Sequence, residues 1–179
     1  PKASLQKMRD ASISVPFADI PFSPYKLTMS MFLAELLGYA TRAEQQGDAL
    51  FQFLMDSILW LDQAASNFSN FHIVFMIKLT AYLGFSPNIE SGAGMDYFDL
   101  VDGCFVSAVP THRNYLDAED SMRMVHLLRL DYKTMHLYTM SRSDRNRCIE
   151  VLLLYYRIHL PSFPELKSYS VLKDMFSTM

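Results

Sequence analysis

The sequence predicts a mainly α fold, a helical bundle of about six helices with a small β-hairpin insertion. Apolar residues recur at three- and four-residue intervals through most of the chain, the period of a helix that buries one face. After residue 24, residues 86–120 break that rhythm, with Pro87, Gly92, Gly94, Gly103 and Pro110. The 179 residues are 50% apolar and 20% charged, enough to bury one domain core and too few Gly, Pro and charges for a disordered or collagen-like chain.

Residues 1–24 hold Pro16, Pro21 and Pro24 without helical period, and predict an extended lead-in. Residues 25–179 predict the helical domain. Met29, Leu33, Leu36, Ala40 and Ala43 stripe a first helix, closed by Gln45, Gln46 and Gly47. Leu50, Leu54, Ile58, Leu61 and Ala65 stripe a second, with Asp48 available as its cap. Asn70 is placed to cap a third, lined by Phe71, Phe75, Leu79 and Tyr82 and ended by Gly84 and Pro87. The links are short, so these three helices are expected to pack as antiparallel neighbours.

In YFDLVDGCFV, Asp102-Gly103 lies between two apolar-aromatic runs, the mark of a hairpin with a tight primed turn. Ser121 is expected to cap a short helix carrying Met124, Leu127 and Leu128, and DYKTMHLYTM to add a turn or two. The strongest helix follows, capped by Ser141 or Ser143 and ended at Leu160 by Pro161. It carries two stripes, Ile149, Leu153, Tyr156 and Leu160 beside Cys148, Leu152 and Tyr155, so it reads as central and buried. A last short helix spans about Ser168 to Phe176.

No run of 18 apolar residues survives Asp56, Asp62, Lys78 and Glu150, so no membrane span is expected. Cys104 and Cys148 belong to no ligand pattern, which predicts no zinc site and suits a reducing cytoplasm, Cys148 serving as a small buried hydrophobe. HExxH, GxSxG, GxxxxGK[ST] and GxGxxG are all missing, and no Ser or Cys stands beside a His in a recognisable motif, so no enzyme, cofactor or metal is expected. Asp96, Asp99 and Asp102 would need a turn folding them inward and a further ligand to hold a cation. His112, in PTHRNYLD, is the histidine most easily exposed, while His159 suits the negative end of its helix.

The formal charge of −3 averages over an uneven chain. Residues 91–120 hold one basic residue against six acidic, and residues 121–179 nine against five. Arg142, Arg145 and Arg147 cluster at the start of the strongest helix, after Arg129 and Lys133. Such a cluster can clamp phosphates or the carboxylates of an acidic peptide. It can equally pair with Asp144, Glu150 and the acidic middle of the chain.

MFLAELL at 31–37, NFHIVFMIKLTAYLGFSPN at 70–88, the FDLxxGxF pattern at 98–105 and LLYYRIHLPSFPELKSYSVL at 153–172 together resemble the bacterial DNA repair protein RecO, in the form found in Bacteroides-type bacteria. The resemblance runs in family order through residues 25–176. It implies that residues 1–24 are the connector from an N-terminal OB-fold domain, and residues 25–179 the C-terminal α-helical domain. It also implies a recombination mediator of the RecF pathway, cytoplasmic and associated with the nucleoid. Such proteins bind single- and double-stranded DNA, the latter two mainly through the OB-fold domain, anneal strands, and work with RecR. Their helical domain takes the acidic, Phe-ended tail of single-strand-binding protein. That tail needs an apolar pocket rimmed by Arg or Lys, and charge and helix placement nominate Arg129, Lys133, Arg142, Arg145 and Arg147. The competing expectation is a ligand-binding or dimerisation domain of a helical regulator, whose Met and Phe residues would line a cavity.

Overall fold

The computed structural model describes residues 12–42, 47–89 and 96–175. Ala43, Gln45 and Gln46 at the expected close of the first helix, Gly92 and Gly94, and Phe176 lie outside the described residues. Among the described residues there are six helices: α1 (Pro24–Ala40), α2 (Asp48–Gln63), α3 (Phe71–Tyr82), α4 (Ala118–Leu128), α5 (Arg142–His159) and α6 (Ser168–Met175). A three-stranded antiparallel sheet lies between α3 and α4, and a 3-10 turn, Met135–Leu137, links α4 to α5. Among the described residues no helix is long and apolar enough to cross a membrane.

Helix α3 is the centre of the fold. It packs against α2, α4 and α5, and every residue from Phe71 to Ile77 is buried. Helix α5 is buried along both expected stripes, from Cys148 to Tyr156, with Leu160 as its C-cap. Ser141 supplies the cap there and forms a reciprocal box with Asp144. In α1 the stripe Met29, Leu33, Leu36 and Ala40 is buried as its spacing requires, and Pro24 occupies the first turn, where a missing N–H costs nothing.

Several local expectations change. Asp48 is not a cap but the first residue of α2, after Gly47 at the cap position. The α2 stripe is only part-buried at Leu50, Leu54 and Ile58, while polar Ser57 and Asp62 are buried beside Leu61. Asp117, not Ser121, caps α4, its carboxylate accepting the Asp120 N–H; Ser121 is buried and donates to the Leu116 carbonyl. Asn70 holds the cap position of α3 without a capping bond.

The hairpin pairs β1 (Tyr97–Asp99) with β2 (Cys104–Val106), and β3 (Tyr115–Leu116), absent from the sequence expectation, adds to the other edge of β1. The connection is not a two-residue primed turn. Asp99 stands opposite Cys104, leaving four residues between them, and the Asp99 carboxylate accepts the N–H groups of Val101 and Asp102 while Gly103 adopts φ +65°. Phe98, Phe105 and Leu116 turn one sheet face into the core beneath α4.

The part of the lead-in that the structure describes, residues 12–23, holds no helix or strand and is pinned to the bundle. The N–H groups of Ala18, Asp19 and Ile20 donate to the Asp62 carboxylate at 2.8, 2.9 and 2.8 Å. At the far end of the chain, Glu35 of α1 accepts the N–H groups of Lys167 and Ser168 at the start of α6.

Candidate functional site

An open cleft of about 890 Å³ lies between α2, the end of α3 and the chain leaving α4. Gln52, Phe53, Asp56, Ser57 and Trp60 supply its α2 wall, a spacing that places them on one helix face. Ile77, Lys78, Ala81 and Tyr82 supply the α3 wall, and Leu128, Asp131, Tyr132 and Lys133 the third.

The walls are built from stacked rings. Trp60 lies parallel to Phe71 at 5.6 Å between centroids and stacks on Tyr132 at 5.2 Å. One helical turn and more away, Phe53 stacks on Tyr82 at 4.6 Å and on Phe75 at 5.3 Å. These offset stacks hold large flat surfaces rigidly at low entropic cost. Tyr132 is further held by a 2.8 Å hydrogen bond between its hydroxyl and that of Ser57, and burial pushes its phenol well above the usual range.

Two cations and two carboxylates border the rings. Lys78 places its ammonium 5.9 Å from the Tyr132 ring centroid. Among the described residues neither Lys78 nor Lys133 forms an ion pair. Each carboxylate is engaged at one oxygen: Asp131 Oδ1 accepts from Lys133 N–H, Thr134 N–H and the Thr134 hydroxyl at 2.8, 2.7 and 2.8 Å, and Asp56 Oδ1 accepts from Gln52. The bonds from Thr134 lower the Asp131 pKa below the usual carboxylate value. Lys78 adds to that lowering through space, so the cleft presents apolar faces, two carboxylates and two ammonium groups outside any close ion pair, a setting for an apolar anchor carrying negative charge.

Of the five basic residues expected in a binding role, Lys133 lines this cleft. Arg129 is exposed at the C-cap of α4, where its N–H closes the helix on the His126 and Leu127 carbonyls. The three arginines of α5 turn to different neighbours. Arg147 makes two bonds to one oxygen of Asp120, at 2.9 and 2.6 Å, and these bonds raise its pKa. Arg142 donates to the Lys173 carbonyl at 3.2 Å, and half-buried Arg145 to the Asn70 side chain at 3.2 Å. Arg123 joins the same region by pairing with Glu119, Asp120 and Asp144. The acidic middle of the chain is thus partly spent on clasping α4 to α5.

Of the rings at the cleft, Tyr82, with Phe71 and Phe75 behind it, was legible as core spacing, whereas Phe53, Trp60 and Tyr132 lie on no expected stripe, and only their assembly makes a site. Lys78 was its one local sign, a charge inside an otherwise apolar helix face. His112 pairs with Asp99 at 3.1 Å beside the β1–β2 turn, and His159 stacks on Phe85 at 5.2 Å with its ring nitrogen 2.9 Å from the Leu100 carbonyl. Among the described residues no three His, Cys, Asp or Glu side chains converge as metal ligands. Neither cysteine is bridged; Cys148 is buried 3.8 Å from the Met140 sulfur, and burial pushes its thiol up to about 11.

Comparison with known proteins matches residues 21–169 to the family model "Recombination protein O C terminal". A DNA repair protein RecO of Phocaeicola vulgatus is 45% identical over 177 residues, which span 99% of this chain and 73% of that one. Another, of Bacteroides fragilis, is 42% identical over 98% of this chain and 73% of its own, and one of Flavobacterium psychrophilum is 30% identical over 98% and 72%. No solved structure matches.

Proposed function

The chain belongs to the RecO family, and from that premise we propose that it is the helical, partner-binding part of a DNA repair recombination mediator. Its cleft receives the acidic, aromatic-ended tail of single-strand-binding protein. RecR and single- and double-stranded DNA are partners of the full-length protein, the DNA mainly through an N-terminal OB-fold domain.

One observation carries the reading: rings from α2, α3 and the 128–133 segment form an open apolar cleft bordered by Lys78 and Lys133. A terminal aromatic ring of the tail enters among the stacked side chains and loses water there. Its carboxylates meet the ammonium groups of Lys78 and Lys133, neither held in a close ion pair among the described residues. The arrangement is open and amphipathic, which suits a peptide better than the enclosed apolar cavity of a small-ligand regulator.

Trp60, the single Trp of the chain, lies in the cleft and reports on it directly. Titration with a labelled acidic peptide ending in Phe should raise its anisotropy and change Trp60 emission at tens of micromolar protein. Lys133→Glu should weaken binding roughly tenfold or more, the scale of one lost charge-assisted contact, and Arg147→Glu should leave it within about twofold. No binding, or equal loss in both variants, would overturn the assignment.

A further inference from the structure

The residue at the cap position of α3 spends its side chain elsewhere. Asn70 is 5% exposed, and both N–H groups of its amide are used, on the carbonyls of Met135 and Tyr138, each at 2.9 Å. Its amide oxygen accepts from the Arg145 guanidinium at 3.2 Å. No capping bond to its own helix remains. An Asn that forgoes the cap for three tertiary bonds satisfies groups that burial would otherwise strand.

Met135 opens the 3-10 turn Met135–Leu137 and Tyr138 follows it, and that turn begins two residues after Lys133, the last residue of the third wall of the cleft. The other end of the wall is folded onto Asp131, which gathers Lys133 N–H, Thr134 N–H and the Thr134 hydroxyl. Between the two anchors stand Tyr132, stacked on Trp60 and bonded to Ser57, and Lys133. The segment buries Met135 in the core, but its backbone is irregular, so these polar ties fix the path between its anchors.

We propose that Asn70 is a positioning residue for the cleft: by holding the Met135 and Tyr138 carbonyls it sets the wall that keeps Tyr132 against Trp60 and Lys133 at the rim. This rests on reading the cleft as the peptide site, and Asn70 acts through Tyr132 and Lys133 without touching the ligand.

Asn70→Asp in the full chain isolates the effect. The carboxylate keeps an acceptor for Arg145, so the tie between α3 and α5 survives, but both donors to the wall are gone. Amide exchange in residues 131–138 should quicken about tenfold or more while α3 and α5 keep their protection, and Trp60 emission should shift red. Peptide affinity should fall about tenfold, and Lys133→Glu should then cost little more, because the ammonium no longer stands where the ligand needs it. Unchanged exchange and emission would overturn the proposal, as would full additivity with Lys133→Glu or loss of protection spread evenly over α3 and α5. If the Asp variant does not fold, Asn70→Ser, too short to reach both carbonyls, carries the exchange readout at 131–138 and the Trp60 emission readout, with Arg145→Gln as the control for the lost α3–α5 tie. If wild type binds no peptide, the cleft assignment fails, and exchange and emission still decide the role of Asn70.

Discussion

The Lys26 ammonium, on a residue 1% exposed, donates to the backbone carbonyl of Asp62 over 2.9 Å, while the Asp62 carboxylate turns away to collect three backbone N–H groups of the lead-in. Lys26 also pairs with Asp19 at 2.7 Å, so a buried cation joins α1, the end of α2 and the strand of chain before them. Burial works to raise the Asp62 pKa, but the N–H donors and Lys26 outweigh it and hold the carboxyl below its ordinary value. A depressed carboxylate contributes stability above its unfolded pKa and loses it as pH falls through the folded value.

Asp62→Ala should therefore lower stability by about 2 kcal/mol at neutral pH, mainly through the N–H groups it strands. The deficit should begin to shrink as pH falls below about 4, the unfolded value, and go on shrinking toward the lowered folded pKa, through which wild type loses the same bonds. Parallel thermal melts at pH 7 and pH 3.5 measure it, and a constant difference would count against the network.

His72 gives a second acid response in a different window. It is fully buried in α3, edge-on to Phe32, and burial with Arg145 nearby pushes its pKa down to about 3. The unfolded chain protonates near 6.5, so between there and pH 3 unfolding takes up a proton that the folded state refuses, and stability falls with pH. His72→Leu should flatten that slope, on the order of 1 kcal/mol per pH unit. Denaturant midpoints for both proteins from pH 7 to pH 4 decide it.

Gly103→Ala should cost about 2 kcal/mol or more. The residue has φ +65°, and an added Cβ would stand 2.6 Å from the Tyr155 hydroxyl oxygen. That hydroxyl donates to the Phe85 carbonyl at 2.9 Å, so the clash also loosens α5 from the loop after α3. Adding Tyr155→Phe removes the colliding oxygen and should recover part of the loss, leaving the backbone strain. A double-mutant cycle in urea separates the two.

Glu35→Ala should open α6 without unfolding the bundle. Burial raises the Glu35 pKa and the Ser168 and Lys167 donors lower it, with a net fall, which places the ionised carboxylate at the positive end of α6. Amide exchange in residues 168–175 should rise roughly tenfold while α5 stays protected; equal loosening of α5 would contradict a local latch.

Much of the fold was legible where burial follows periodicity. Met29 to Ala40 and Cys148 to Tyr156 carry their stripes locally, and Ser141 with Asp144 is a complete cap written in four residues. The lines that failed depend on distant partners. Ser57 and Asp62 look like solvent residues of α2 until Tyr132 and the N–H groups of residues 18–20 arrive from far away in sequence. Asn70 looks like a cap until Met135 and Tyr138 claim it, and β3 is only two residues whose pairing with β1 no local pattern announces. The arginine cluster was visible as charge, but its ion pairs lie across helices. The cleft was invisible because its rings, part-buried or exposed, come from α2, α3 and the segment after α4, and no local pattern brings Phe53, Trp60, Tyr82 and Tyr132 together.

The bond between Glu35 and Ser168 joins residues 133 apart, and it brings the first helix against the last, with the Phe32 ring 6.4 Å from Tyr169. During synthesis at about 5–20 residues per second, that neighbour of α1 does not exist until on the order of ten seconds after α1 has left the ribosome. For that interval the side of α1 that will meet α6 is open to whatever binds nascent apolar helices. Substitutions there should show first as a lower yield of folded chain and only second as a lower melting temperature.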